Sequence, residues 1–256
     1  MLFTLPINRV DECGIRIYNL YIKGCVIMII KGLSKLTLLD FPGRTACTVF
    51  TGGCNLRCPF CHNSPLVTHI DEYEISETEV FEHLKKRRGI LDGVAVTGGE
   101  PLIQKDIERF LYEIKCLGYP VKLDTNGCFP ERLRDIIDVG LVDYVAVDIK
   151  NRPEKYAETV GVANFDVSKI DEIIALLAEN KVDYEFRTTV VSRFHTPDDI
   201  EAAAEWISSA PRYFLQNFVD SGDLIDPTCT GVSKDIMNEM LARALKHIPT
   251  AQLRGL

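Results

Sequence analysis

From residue 46 onward the chain alternates between short apolar runs and longer amphipathic segments, which limits its possible folds more than any other feature. Six apolar runs have the length of buried strands: 46–53, 93–99, 121–127, 144–150, 184–191 and 213–218. Six amphipathic stretches predict helices: 76–89, 104–117, 130–138, 168–179, 197–209 and 233–247. Such alternation predicts a parallel sheet covered by helices. Six units allow either an open doubly wound sheet or an incomplete (β/α)6 barrel.

Polar clusters stand at the end of each predicted strand. They are "TGGC" after the first, "TGGEP" after the second, "DTNG" after the third, "DIK" at the fourth, "RTT" in the fifth and "QN" at the sixth. Gly and Asn are common in ordinary turns. Because parallel strands bring their C-terminal ends to one edge, so many clusters favour a shared site there. Whether Gln216 or Asn217 faces that site does not follow from the sequence.

The charge balance and the short apolar run near the start argue against nucleic acid and membrane as partners. Lys and Arg number 29 against 37 Asp and Glu, and the net charge of −8 argues against a nucleic-acid binder with a basic face. The apolar run at 25–30 is far shorter than the roughly 20 residues that cross a bilayer. No signal-peptide cleavage pattern follows it. We predict a cytoplasmic protein that binds neither nucleic acid nor membrane, with residues 1–27 as an N-terminal flanking segment.

Three of the nine cysteines, Cys54, Cys58 and Cys61, lie within "TGGCNLRCPFCHN". The odd total and the absence of a secretion signal favour metal or cluster ligation over disulfides. A structural zinc site needs four ligands, and His62 is a poor fourth because it directly follows Cys61. Three thiolates suit a [4Fe–4S] cluster with one iron open to a substrate or cofactor. A non-catalytic iron–sulfur or zinc protein is the alternative.

The C-x3-C-x-aromatic-C pattern, completed by Phe60, and "GGEP" at 98–101 together resemble the radical S-adenosylmethionine superfamily over about residues 28–256. The resemblance implies an incomplete (β/α)6 barrel of parallel strands with helices outside, which makes 28–256 one domain. It also implies that the cysteines hold a [4Fe–4S] cluster whose open iron binds S-adenosylmethionine. An electron then cleaves this cofactor to methionine and a 5′-deoxyadenosyl radical, which abstracts a hydrogen atom. Residues 62–97 contain no cysteine, so we expect a single cluster.

The same resemblance and the strand-end chemistry assign further residues to the cofactor. These are Phe60, Gly98, Gly99, Glu100, Pro101, Asp124, Thr125, Asn126, Asp148, Lys150 and Arg187. The glycines would let the backbone approach the ligand, and Glu100 would supply negative charge near its ammonium group. Asp124, Thr125 and Asp148 match positions that hold a monovalent cation in pyruvate formate-lyase activase. Lys150 could join the two carboxylates instead.

Two further segments resemble activases of glycyl radical enzymes: "CHN" at 61–63 and the "DFPG" turn at 40–43. The segment that leads into the cysteine loop also resembles activating proteins of anaerobic ribonucleoside-triphosphate reductase. This resemblance implies that reductase as the partner, with reduced flavodoxin or ferredoxin as electron donor. Asp40 would orient the substrate peptide, or it caps the turn. Activation of another glycyl radical enzyme, such as pyruvate formate-lyase, and radical chemistry on a small molecule are the alternatives.

Overall fold

The computed structural model describes residues 28–68, 74–220 and 222–255, and the predicted flanking segment 1–27 lies outside them. One sheet of eight strands runs through this part of the chain. The strands are β1 (Ile30–Thr37), β2 (Ala46–Thr51), β3 (Gly93–Gly98), β4 (Val121–Thr125), β5 (Tyr144–Asp148), β6 (Asp183–Val190), β7 (Tyr213–Asn217) and β8 (Gln252–Arg254). Strands β2 to β8 are parallel, and β1 pairs with β2 in the antiparallel sense.

Helices follow most of the strands. They are α1 (Ser64–Thr68), α2 (Glu77–Lys86), α3 (Ile107–Cys116), α4 (Pro130–Asp138), α5 (Tyr156–Val160), α6 (Ser168–Ala178), α7 (Pro197–Trp206) and α8 (Lys234–Ala244). The six predicted strands correspond to β2 through β7, and the six predicted helices to α2, α3, α4, α6, α7 and α8. The eight-residue strand β1 and the short elements β8, α1 and α5 were not predicted.

The strand order decides between the two predicted architectures. Each strand lies beside its neighbour in the chain, from β1 to β8, without a reversal. A doubly wound sheet would reverse its order at a switch point. The prediction of an incomplete barrel with helices outside is therefore confirmed.

The two faces of the sheet differ in chemistry because side chains alternate along each strand. The face under the helices is apolar and carries fully buried residues such as Val96, Leu123 and Val147. The opposite face carries charged residues: Lys122 pairs across the strands with Tyr144, and Asp148 with Arg187. The interior of this partial barrel is therefore polar, and its hydrophobic core lies between the sheet and the helices.

None of the helices in the described residues combines the length and the apolar character needed to cross a membrane.

Candidate active site

A cavity opens at the C-terminal ends of the parallel strands, where the polar clusters end. Its volume is about 230 Å³, and it opens to solvent on one side. Its lining residues are Cys54, Leu56, Cys58, Phe60, Cys61, His62, Asn63, Val67, Thr97, Gly98, Gly99, Asp124, Thr125, Asn126, Asp148, Lys150, Arg187, Thr189, Gln216 and Ile225. The structure thus brings the three cysteines together with most of the residues predicted for the cofactor. Glu100, Pro101 and Asp40 are outside this lining.

The cysteine loop between β2 and α1 is fixed by distant parts of the chain. The Arg57 backbone N–H donates to the Val160 carbonyl at the end of α5 (3.0 Å). The Asp226 N–H, from the segment after β7, donates to the Pro59 carbonyl (2.9 Å). The Arg57 guanidinium donates to the Cys54 carbonyl (2.7 Å), which curls the loop on itself. The loop that carries the thiols is therefore held by the segment after β5 and by the segment after β7.

The three thiols face the cavity in an environment that excludes much of the water. Burial raises the pKa of Cys58 to about 12, and it also raises the pKa of Cys54. The Cys54 sulfur accepts from the Leu56 N–H (3.4 Å) and contacts the Asn126 amide nitrogen (3.7 Å). Cysteines bind iron as thiolates, so metal binding here must release protons. Hydrogen-bond donors to cysteine sulfur are typical of iron–sulfur sites, where they help to set the reduction potential of the cluster.

A mononuclear zinc site finds no support in this geometry. Within residues 28–68, 74–220 and 222–255, no three His, Cys, Asp or Glu side chains are arranged to hold one ion. Three soft thiolates that border a wide cavity fit a polynuclear cluster better than a closed tetrahedral site.

Gly98, the last residue of β3, and Gly99, which follows it, are needed for close contact between backbones. Gly98 has a φ of +122°, and a Cβ there would lie 2.3 Å from the Thr51 nitrogen. A Cβ on Gly99 would lie 1.8 Å from the Gly53 carbonyl oxygen. The N–H groups of Gly99 and Glu100 donate to the carbonyls of Thr51 (2.9 Å) and Gly53 (2.8 Å). The space left by the missing side chains is thus filled by the start of the cysteine loop, while the glycine backbone still borders the cavity.

Glu100 is fully buried, and its carboxylate joins the ends of β3 and β4 through hydrogen bonds to protein groups, while its charge near a ligand stays a prediction. Its carboxylate accepts from the N–H groups of Leu102 (3.0 Å) and Asn126 (2.7 Å) and from the Thr125 hydroxyl (2.8 Å). Burial raises the pKa of Glu100 to about 7, against the effect of these donors. Pro101–Ile103 forms a short 3-10 turn directly after it, and Pro101 begins that turn.

The charged residues at the ends of β4, β5 and β6 form one network. Arg187 donates to both Asp124 (3.1 Å) and Asp148 (3.0 Å). Lys122 contacts the other oxygen of Asp124, and Lys150 donates to the other oxygen of Asp148 (2.9 Å). Burial alone would raise the pKa of both carboxyls, but Arg187 and the lysines outweigh it and hold the pKa of each below its usual value. Both carboxylates are therefore ionised and bridged by the arginine.

Two aromatic rings flank the cysteines. Phe60 lines the cavity but is only 3% exposed, and its ring packs against Phe194 with centroids 5.7 Å apart. The His62 ring stands edge-on to Phe218 at 4.9 Å, on the rim beside Cys61. Phe60 therefore both packs in the core and contributes a surface to the cavity.

At the end of β7, Gln216 faces the cavity and Asn217 does not. Gln216 lines the cavity. Asn217 points to the other face, where its side chain donates to and accepts from the Val232 backbone (2.9 Å each).

Lys122, Thr189 and Ile225 are among the lining or neighbouring residues that the sequence analysis did not assign to the site. Lys122 lies two residues before Asp124, and Thr189 two residues after Arg187, so the period of a strand would have placed both on the inner face. Ile225 comes from an irregular segment after β7, and its sequence carries no signal for that position.

Asp40 lies at the other end of β2 from the cysteine loop. The Thr48 hydroxyl, on the inner face, donates to its carboxylate, and the Asp40 N–H lies 3.3 Å from the Thr37 hydroxyl that accepts it. The turn is thus capped by Thr37, and the Asp40 carboxylate is held at the inner face, away from the cavity.

Comparisons with known proteins agree with this arrangement. A family model described as the radical SAM superfamily matches residues 48–207. A Methanocaldococcus jannaschii protein named as a glycyl-radical enzyme activating enzyme is 34% identical over 197 residues, which cover 74% of this chain and 80% of that protein. The pyruvate formate-lyase-activating enzyme of Listeria monocytogenes is 29% identical over 195 residues, covering 71% and 77%.

A solved structure also shares the fold. The radical SAM methyltransferase from Sphaerobacter thermophilus superposes with a TM-score of 0.67 at 14% identity, covering 86% of this chain and 68% of that one. The likeness at this identity concerns the fold alone. Because the family model spans more than half of the chain and takes in all three cavity cysteines, the chain belongs to the radical SAM superfamily and is a radical SAM enzyme.

Proposed function

We propose that this enzyme is an activase that uses S-adenosylmethionine to generate a glycyl radical on a partner enzyme. The observation that carries the proposal is the 34% identity, over most of both chains, with a protein named as a glycyl-radical enzyme activating enzyme. The cavity supports it, because it brings the three thiols together with the charged side chains of Lys150 and Arg187.

The residues present fit the cofactors that the family implies. Cys54, Cys58 and Cys61 would hold a [4Fe–4S] cluster, which when bound supplies the electron that cleaves S-adenosylmethionine. Lys150 and Arg187 would bind the carboxylate of the cofactor by charge-assisted hydrogen bonds. Phe60 offers an apolar surface on which a purine can pack. The buried setting of Cys58 keeps water away from the reacting groups.

The partner is proposed in finer terms as anaerobic ribonucleoside-triphosphate reductase, with reduced flavodoxin or ferredoxin as the electron donor. The "DFPG" turn supports this choice by its resemblance to such activating proteins. The Asp40 carboxylate, held on the inner face by Thr48, would accept hydrogen bonds from the backbone of the glycine-bearing loop.

Pyruvate formate-lyase is the second candidate partner. It is favoured by the 29% identity with the Listeria monocytogenes pyruvate formate-lyase-activating enzyme. The two partners differ only in the protein that receives the radical, so one experiment separates them.

The test is an anaerobic assay of the protein reconstituted with iron and sulfide. With S-adenosylmethionine and a reductant, we expect 5′-deoxyadenosine and methionine in equal amounts, and none from a Cys58→Ser variant. Candidate glycyl radical proteins are then added one at a time, and electron paramagnetic resonance shows which of them acquires a glycyl radical. An intact cluster that binds the cofactor without forming 5′-deoxyadenosine, or a radical on none of the candidates, would contradict the proposal.

A further inference from the structure

The two carboxylates at the mouth of the cavity already have a protein cation on every oxygen. On Asp124, Lys122 contacts Oδ1 and Arg187 Nη1 lies 3.1 Å from Oδ2. On Asp148, Arg187 Nε and Nη2 each lie 3.0 Å from Oδ1, and Lys150 Nζ lies 2.9 Å from Oδ2. A hard cation needs oxygen ligands with free lone pairs. The carboxylates of the predicted monovalent-cation site are thus already occupied by nitrogen donors.

The third predicted ligand is also engaged. The Thr125 hydroxyl donates to Glu100 (2.8 Å) and accepts from the Gly127 N–H (3.2 Å). Thr125 is the next residue after Asp124 on β4, so its side chain points to the opposite face of the sheet. It therefore offers no hydroxyl between the two carboxylates.

The charge count leaves a positive surplus. Lys122, Lys150 and Arg187 contribute three positive charges, and Asp124 and Asp148 two negative charges, which leaves one net positive charge. The side chain of Lys122 is 2% exposed and that of Arg187 14%, so bulk salt screens the network little. A further cation would add like charge to this surplus, whereas an anionic group would compensate it.

We propose that Lys122 is a positioning residue that, with Arg187, replaces a monovalent cation, so that the site works without one and its surplus charge receives the carboxylate of S-adenosylmethionine. The cofactor part of this inference rests on the proposed function. Lys122 acts through Asp124, because it compensates that carboxylate and so frees the charge of Arg187 and Lys150 for a ligand.

The experiment compares the wild type with Lys122→Met and with Lys115→Met, a matched control whose lysine pairs with Asp143 away from the cavity. Affinity for S-adenosylmethionine is measured by calorimetry on the oxidised, reconstituted protein, in K⁺ or tetramethylammonium chloride at constant ionic strength. We expect no difference between the two salts for the wild type and the control. Lys122→Met should bind about tenfold more weakly in tetramethylammonium, as one lost charge contact predicts. Restoration of its affinity by K⁺ would further support the inference.

Two outcomes would overturn it. Wild-type affinity that rises with K⁺ would show a working cation site, and unchanged affinity of Lys122→Met would show that this lysine has only a structural role. If Lys122→Met does not fold, Lys122→Gln and the wild-type salt comparison remain decisive. Thermal unfolding of the cluster-free protein in the two salts tests whether Asp124 and Asp148 bind K⁺, independently of S-adenosylmethionine. K⁺ should stabilise Lys122→Met but not the wild type, so this readout stands even if the wild type binds no S-adenosylmethionine and the proposed function fails.

Discussion

At the scale of single residues, Glu100 stabilises the cavity by connecting two of the strand ends that form it. It lies where β3 ends and bonds to Thr125 and Asn126 where β4 ends, so the two strand ends are tied by one buried carboxyl group. The Leu102 and Asn126 N–H groups and the Thr125 hydroxyl that donate to it are neutral, and burial raises its pKa from 4.5 to about 7. Its protonation state must therefore affect the stability of the fold.

We expect Glu100 to make the unfolding free energy fall as pH rises from about 4.5 to 7. In this interval the unfolded chain has released the proton and the folded chain still holds it, so unfolding becomes easier with pH. A shift of this size corresponds to about 3 kcal/mol. Denaturant unfolding of the cluster-free wild type and Glu100→Gln between pH 4 and 8 measures it as the difference between the two proteins. A difference that stays constant with pH would contradict the raised pKa.

The residues of the site could be predicted from sequence to different extents. The three cysteines were found from spacing alone, because the spacing of thiols within a short loop determines which metal groups they can hold. Gly99 was noticed, but for a different physical reason, since its contact partner Gly53 is 46 residues away and invisible to local patterns. The bridging role of Arg187 depends on the register of three strands, which no local pattern specifies.

At the scale of elements, the short strand β8 is attached through a buried ion pair. Arg254 on β8 donates to the fully buried Glu185 on β6 (2.8 and 3.1 Å), which also accepts from the Tyr144 hydroxyl (2.7 Å). The guanidinium carbon of Arg254 also lies 3.6 Å from the centre of the Phe214 ring. Strand β8 escaped prediction because it is three residues long with a polar sequence, and its stability comes from this tertiary contact.

We expect Arg254→Met to lower the unfolding free energy by about 2–3 kcal/mol, because it leaves the buried Glu185 carboxylate without the cation that is bonded to it. The double variant Arg254→Met with Glu185→Gln should recover most of this loss, since it removes the uncompensated charge. The control is Arg134→Met, whose exposed pair with Glu179 should contribute little to stability because water and salt screen it. Urea unfolding measures all three. A double variant that is less stable than the sum of its single variants would contradict this explanation.

At the scale of the whole molecule, the two faces of the sheet have different roles: one packs in the hydrophobic core and the other carries the charged residues of the cavity. The outer face forms the core with the helices, and the inner face carries the charges that surround the cavity. The alternation of strands and helices predicted this architecture well, because it follows from local hydrophobic periodicity. The polar interior was less predictable, since a buried lysine such as Lys122 is unusual and depends on partners from other strands.

We expect bound cofactor to stabilise the whole domain, because the cavity is formed by residues from β2 to β7 and a ligand binds only the folded chain. S-adenosylmethionine at a hundred times its dissociation constant should add about 2.7 kcal/mol, or roughly 5–10 °C in the unfolding midpoint of a chain of this size. Calorimetry of the reconstituted protein without reductant measures the shift. Removal of iron by a chelator, or the Cys58→Ser substitution, should abolish most of it. An equal shift without the cluster would show that the cofactor binds elsewhere.

The way in which the cysteine loop is fastened has a consequence for biosynthesis. The hydroxyl of Ser64, three residues after Cys61 at the end of the cysteine loop, donates to the carbonyl of Asp223, which is 159 residues further along the chain. Pro59 is held by Asp226 in the same way. While a ribosome is still making the chain, the cysteines emerge long before the segment that shapes their loop. Iron and sulfide should therefore be loaded only after synthesis is nearly complete, and the assembly machinery must recognise a folded client and not a nascent one.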